Sequence, residues 1–132
     1  MTDLIRSLSA RGYLLALVTG GVSESVSRIL HRLSLSEYFH VVVTADMVDF
    51  SKPDPEPYRR AMRELGVAPD HGVAIENAPA GIRSAKAAGL LCIALTTSLS
   101  PSYLQEADLI FEAVPHLARW FGFRGETPGK LD

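Results

Sequence analysis

The sequence has only one cysteine and almost no excess charge of either sign. Cys92 has no partner in the chain with which to form a disulfide. It lies in the apolar run GLLCIAL, which is typical of a small core residue. This cysteine usage fits a reducing compartment, so we expect a cytoplasmic protein. The formal net charge of −2 gives no electrostatic reason to expect nucleic acid or an anionic membrane as a partner.

Long apolar segments are also missing from the sequence. Its longest apolar runs, LLALV and LLCIAL, are far shorter than the roughly 20 residues that span a bilayer. Met1 is followed by Thr2 and Asp3 rather than by a basic and then an apolar stretch, so we expect no signal peptide. Hydrophobic residues nevertheless make up 47% of the 132 residues, which is enough for one domain with its own core.

Five short apolar segments alternate with stretches whose apolar residues have helical spacing. The predicted strands are residues 14–18, 41–44, 73–75, 91–95 and 109–111. Because these strands are apolar throughout, we predict a three-layer, Rossmann-like α/β fold, in which helices cover both faces of a parallel sheet. We place this core domain at residues 1–121. The polar segment 122–132, with its glycines and a proline, is predicted to be a flexible tail.

Right-handed crossovers bring the carboxyl ends of the strands to one rim of the sheet, where two segments could bind an anion. Thr19 and Gly20 follow the first strand, and a hydroxyl with free backbone N–H groups at a helix start can bind phosphate. The alternative is an ordinary glycine turn capped by Thr19. Lys52 is stiffened by Pro53 and Pro55, which favours a fixed point charge for a phosphate, although a surface lysine is the default interpretation.

Glu76 and Asn77 follow the third strand directly and reach the same rim. Their oxygen atoms are the kind that Mg²⁺ prefers. Alternatively, the carboxylate accepts loop N–H groups or caps the next helix, predicted at about residues 81–88. One glutamate and one asparagine make a poor metal site by themselves, so a second carboxylate should come from elsewhere.

Taken in order, these segments resemble three motifs of the haloacid dehalogenase (HAD) superfamily of phosphohydrolases. LALVTGG resembles the second motif, which implies that Thr19 and the Gly20 amide contact the phosphoryl group. SKPDPEPY resembles the third, which gives Lys52 the role of steadying the nucleophile and the phosphate. AIENAPAGIRSAKAAG resembles the fourth, which implies that Glu76, and less securely Asn77, holds Mg²⁺. The resemblance covers residues 4–121 and is strongest to the capped group that includes β-phosphoglucomutase and phosphoglycolate phosphatase.

Two departures from the family pattern matter. The first motif, an Asp-x-Asp-x-Thr strand end that supplies the nucleophile, has no match, because Asp-x-Asp occurs nowhere in the sequence. We therefore expect that the chain starts after the first strand and the cap. Asn77 also stands where many members have aspartate, which should lower the metal affinity.

The resemblance places the missing first strand centrally, between the strands predicted at 14–18 and 73–75. Its loss would leave two inner edges without hydrogen-bonding partners, which is costly when they are buried. We expect one of three outcomes: an open slot, direct closure of the two strands, or a strand donated by another chain.

The resemblance implies Mg²⁺-dependent phosphoryl transfer from a small phosphorylated metabolite through an aspartyl-phosphate. Because the nucleophile is not in this sequence, we predict that the chain alone is inactive. The alternative is a non-catalytic module that binds phosphate, or that completes its sheet with a partner or a second copy. An unrelated doubly wound domain has little support, since the sequence has no glycine fingerprint or acidic pair for such a site.

Overall fold

The computed structural model describes residues 1–124, so residues 125–132 of the predicted tail lie outside the described part. Strands and helices alternate along the chain, as the sequence predicts. The helices are α1 (Thr2–Ala10), α2 (Ser23–Arg32), α3 (Glu56–Leu65), α4 (Pro79–Ala87) and α5 (Val114–Trp120). The strands are β1 (Ala16–Val18), β2 (Val41–Val43), β3 (Val73–Glu76), β4 (Leu91–Leu95) and β5 (Leu109–Phe111).

All strand pairings are parallel, which confirms the α/β class, but the described strands form two sheets rather than one. β1 pairs with β2, with Leu17 opposite Val42, and β3, β4 and β5 form a second sheet in that order. Within residues 1–124, β1 and β3 are not hydrogen-bonded to each other. Direct closure of the two strands is therefore wrong, and an open slot lies between them, while donation of a strand by another chain stays a prediction.

The slot between the two sheets is a cavity of about 540 Å³ with mainly apolar walls. The inner strands β1 and β3 form its sides. Leu4 and Leu8 of α1 close one face, and Tyr58 and Met62 of α3 close the other. Its walls therefore resemble the surroundings of a central strand that is buried on both faces.

Helices cover both faces of the β3–β5 sheet, and the side chains of β4 show this best. Ile93 and Leu95 pack with α1 and α5, whereas Cys92 and Ala94 pack with α3 and α4. All four side chains are buried, which confirms Cys92 as a small core residue. Burial, and then the nearby Glu76 carboxylate, raises the pKa of the Cys92 thiol to about 12, so this thiol is unreactive at neutral pH.

Two element boundaries differ from the predicted ones by more than one residue. β1 begins at Ala16 rather than at residue 14, because Leu14 is half exposed and the Leu15 N–H donates to Nδ1 of His40 instead of to a strand. α4 begins at Pro79, two residues earlier than predicted, because a proline at the start of a helix has no N–H to leave unpaired. No helix within residues 1–124 is long and apolar enough to cross a membrane.

A polar network joins the turn after β1 to the end of β2. Asp46 accepts hydrogen bonds from the backbone N–H of Ser23 (3.0 Å), from the Ser23 hydroxyl (2.7 Å) and from the Thr44 hydroxyl (2.6 Å). Ser23 is the first residue of α2, so Asp46 satisfies a helix N–H that has no partner within the helix. These bonds, that of Thr44 first, lower the pKa of Asp46 from its ordinary 3.8 to about 2.

We predict that Asp46→Asn lowers the urea midpoint of unfolding at neutral pH, because the charged acceptor of this network is lost. The lowered folded-state pKa means that Asp46 adds stability above about pH 4, and that this contribution is lost as the pH falls towards about 2. The difference between wild type and variant should therefore narrow over that range. Asp49→Asn, an exposed aspartate nearby, is the control, and an equal effect there would contradict the assignment.

Candidate functional site

The five residues singled out from the sequence line one depression at the carboxyl ends of β1 and β3. It has a volume of about 480 Å³ and is lined in part by Thr19, Gly20, Lys52, Glu76 and Asn77. The rim expected from parallel strands and right-handed crossovers therefore brings together segments that are up to 58 positions apart in the sequence. Their roles remain predictions, but their proximity is a property of the fold.

The turn after β1 is shaped by its own hydroxyl. Thr19 Oγ1 accepts a hydrogen bond from the Gly21 N–H at 3.1 Å, which leaves the hydroxyl proton free to be donated elsewhere. Gly21 is held tightly, because an added Cβ would lie 2.9 Å from Cγ2 of Val26. Gly20 is exposed, and an added Cβ there would meet nothing within 4 Å. The turn is therefore fixed, and its open side faces the depression.

Lys52 bridges the two sheets at the mouth of the slot. Its Nζ donates to the carbonyl oxygen of Val18, the last residue of β1, at 3.0 Å. The same Nζ donates to Oε1 of Glu76, the last residue of β3, at 2.6 Å. An ammonium group has three N–H donors, so one remains for a ligand in the depression. This lysine is an internal bridge and not the solvated surface residue of the default interpretation.

Glu76 is a buried carboxylate whose charge is compensated by neighbouring groups. Its side chain is 8% exposed, and that of Lys52 is 21% exposed. The Tyr58 hydroxyl, from α3, donates a second, short hydrogen bond to the same Oε1 atom. Burial, and then the Glu76 charge, raises the pKa of Tyr58 far above its usual value, so Tyr58 stays protonated as a donor. The glutamate is therefore held in one orientation.

Gly81, in the first turn of α4, makes room for this carboxylate. A Cβ added at Gly81 would overlap with the carboxyl carbon and with Oε2 of Glu76. Close approach of a helix backbone to a side chain is a use to which glycine is suited, although glycine inside a helix costs stability relative to alanine. The carboxylate is thus confined between the Tyr58 hydroxyl and the α4 backbone.

Asn77 is exposed, and its Nδ2 donates to the Ser98 hydroxyl at 3.3 Å, which leaves the amide oxygen to accept or to coordinate. Within residues 1–124 no three side chains of His, Cys, Asp or Glu type are grouped so as to hold a metal ion. Glu76 also already has a cationic partner. These residues by themselves do not fit a Mg²⁺ site, since that ion requires a nearly octahedral set of oxygen ligands.

Sequence reasoning missed two residues of this site. The helical spacing of Tyr58 with Ala61, Met62 and Leu65 predicts only a buried helix face and gives no hint of a polar contact. Gly81 stands at the predicted start of a helix, and nothing in the sequence pattern indicates that it contacts Glu76. The available signal was a tyrosine on a core face, because a buried hydroxyl needs a partner and few polar groups lie nearby.

The comparisons with known proteins support a family assignment. A family model described as haloacid dehalogenase-like hydrolase matches residues 1–95. The chain is 36% identical over 118 residues to validoxylamine A 7'-phosphate phosphatase of Streptomyces hygroscopicus subsp. limoneus, covering 89% of this chain and 55% of that protein. It is 30% identical to phosphoglycolate phosphatase of Escherichia coli K12, with coverages of 89% and 48%.

Solved structures agree with this assignment. CbbY from Rhodobacter sphaeroides in complex with phosphate superposes with a TM-score of 0.78 at 33% identity, over 88% of this chain and 53% of that one. The chain therefore belongs to the haloacid dehalogenase-like hydrolases, and it is related to the group that contains phosphoglycolate phosphatase and β-phosphoglucomutase. It spans about half the length of the curated relatives that it matches.

We predict that Gly81→Ala destabilises the chain by about 3 kcal/mol, because the new methyl group must push Glu76 out of its contacts with Lys52 and Tyr58. Alanine has a higher helix propensity than glycine, so without this overlap the substitution would be expected to stabilise the helix. Urea denaturation monitored by circular dichroism gives the free energy of unfolding. The matched control is Gly20→Ala, for which the added methyl group has open space. Equal stability of the two variants would show that Glu76 is not confined as described.

Proposed function

We propose that this chain is the portion of a HAD-like phosphohydrolase that supplies the phosphate-binding and charge-balancing half of the site. The observation that carries the proposal is the shared depression lined by the turn of Thr19 and Gly20, by Lys52 and by the Glu76–Asn77 turn. In the complete protein the reaction would be a Mg²⁺-dependent phosphoryl transfer through an aspartyl-phosphate. The substrate would be a small phosphorylated metabolite, in line with the names of the curated phosphatases it resembles.

The donor groups in the depression would contact the negatively charged oxygens of the phosphoryl group. The Thr19 hydroxyl and the Gly20 N–H would donate to the phosphoryl oxygens, and the third N–H of Lys52 would reach them as a cation. Fixed donors of this kind stabilise the charge that develops on the transferred group. Mg²⁺ would supply further positive charge when bound, but its site requires carboxylates from outside residues 1–124. The nucleophilic aspartate would likewise come from outside this chain.

We predict that the purified chain does not hydrolyse para-nitrophenyl phosphate in the presence of MgCl₂, because donors alone do not provide a nucleophile. Release of para-nitrophenolate, followed by absorbance, should equal that of the buffer. Hydrolysis that is dependent on Mg²⁺ and lost in Lys52→Ala would contradict the prediction. Hydrolysis that persists in Lys52→Ala would instead indicate a contaminating phosphatase.

A second candidate function, a module that completes its sheet with another polypeptide, is favoured by the open slot. β1 and β3 lie on either side of a mainly apolar cavity, and the carboxyl ends of both strands line the shared depression. A single extended segment, parallel to both strands, would satisfy the backbone groups of both edges. This function needs no catalytic step, and it is compatible with the first one if the added strand carries the nucleophile.

We predict that a synthetic peptide of about eight residues, apolar in its strand portion and ending in Asp-x-Asp-x-Thr, binds the chain and raises its melting temperature. Mg²⁺-dependent hydrolysis of para-nitrophenyl phosphate should accompany binding. The matched control peptide has asparagine in place of the first aspartate, and it should bind without supporting hydrolysis.

The outcomes of this experiment separate the two functions. Binding without hydrolysis by either peptide would support a sheet-completing module and count against the phosphohydrolase. Failure of both peptides to bind would overturn the strand-completion proposal. Sizing chromatography over a range of protein concentrations provides the remaining comparison, because a dimer that dissociates when peptide is added would identify a second copy as the occupant of the slot.

A further inference from the structure

The negative charge of Glu76 is largely buried and therefore needs compensation by neighbouring groups. A carboxylate that is 92% removed from solvent is stable only when a cation or several donors compensate it. In this chain the cation is the Lys52 ammonium, 2.6 Å from Oε1, and the Tyr58 hydroxyl adds a neutral donor to the same atom. The charge is therefore balanced by residues of the chain itself.

A divalent ion at this turn would have to compete with that lysine. The ion would need an oxygen of Glu76 within coordination distance, which places two cations against one carboxylate. Their repulsion is strong where water is largely excluded. Asn77 would add one neutral oxygen at most, and among the described residues no three His, Cys, Asp or Glu side chains are grouped so as to hold a metal ion. One carboxylate that is already neutralised is a weak ligand set for Mg²⁺.

We infer that Lys52 acts as the built-in counter-ion of Glu76 and that it excludes divalent cations from the Glu76–Asn77 turn of this chain. The family resemblance predicts a metal at this turn, whereas the geometry shows a lysine in the compensating position. The inference depends on the Lys52–Glu76 contact and holds whether or not the chain is part of a phosphohydrolase. If the inference holds, removal of the lysine charge leaves Glu76 without a counter-ion, and a metal ion should then bind to it.

The test is the response of thermal stability to Mg²⁺. Lys52→Met keeps most of the side-chain length but leaves Glu76 buried without a cation, so this variant should melt at a lower temperature than wild type. Addition of about 10 mM MgCl₂ should raise its melting temperature by about 3 °C or more, whereas wild type should shift by less than about 1 °C. NaCl at equal ionic strength corrects for screening.

Two control variants identify the atoms responsible. Lys52→Met combined with Glu76→Gln should lose the Mg²⁺ response, because no buried charge then remains to be compensated. Lys86→Met removes a lysine from a more exposed ion pair with Asp108 and should behave like wild type in MgCl₂. A folded Lys52→Met variant with no greater Mg²⁺ response than Lys86→Met would overturn the inference.

Direct binding of Mn²⁺, measured by electron paramagnetic resonance, tests the inference without relying on the stability of Lys52→Met. Mn²⁺ should bind wild type and Glu76→Gln with the same weak affinity, since Glu76 is unavailable in both. Where Lys52→Met is folded, it should bind Mn²⁺ at least about tenfold more tightly than wild type does. Tight binding to wild type that disappears in Glu76→Gln would show that the lysine does not exclude the ion.

Discussion

The buried contact between Lys52 and Glu76 is the interaction on which the rest of the site depends. Removal of one member of such a pair leaves an uncompensated charge in the protein interior, which typically costs about 3–5 kcal/mol. The pair also fixes the relative positions of a loop, the end of β3 and, through Tyr58, helix α3. The α4 backbone closes the remaining side, where only a glycine leaves room for the carboxylate. The Glu76 carboxylate thus contacts or constrains residues on the Lys52 loop, on α3 and on α4, in addition to ending β3 itself.

The same lysine also explains how two sheets without shared backbone bonds remain aligned at one end. Its contact with the Val18 carbonyl oxygen ties β1 to the group that ends β3, across the mouth of the slot. At the level of the strands themselves, the cavity of about 540 Å³ separates their edges. Buried backbone groups without partners are costly, so this arrangement favours any extended segment that can enter the slot. The Lys52 bridge thus aligns the carboxyl ends of β1 and β3, although these two strands share no backbone hydrogen bonds.

Much of this fold could be predicted from the sequence because its strands are apolar throughout and its helices carry clear apolar faces. Thr19, Lys52 and Glu76 could be placed at one rim, since the handedness of crossovers determines where parallel strands end. The ion pair between Lys52 and Glu76 could not be predicted, because it depends on the directions of two side chains that are 24 residues apart in the sequence. The contact of the Tyr58 hydroxyl with Glu76 could not be predicted either. The helical spacing of Tyr58 is fully explained by core packing, so the pattern does not indicate a polar contact.

Lys52 and Glu76 have different partners in the family motifs and in the structure of this chain. In the motifs, the lysine serves the phosphate and the glutamate serves the metal, as two separate functions. Within residues 1–124, where no three His, Cys, Asp or Glu side chains are grouped so as to hold a metal ion, the two residues neutralise each other. An ammonium group with three donors can hold Glu76 and the Val18 carbonyl and still offer one N–H to an anion. Under the two proposals above, a phosphate would enter without breaking the pair and a metal ion would not, so anion binding is the part of the chemistry that we expect of this chain by itself.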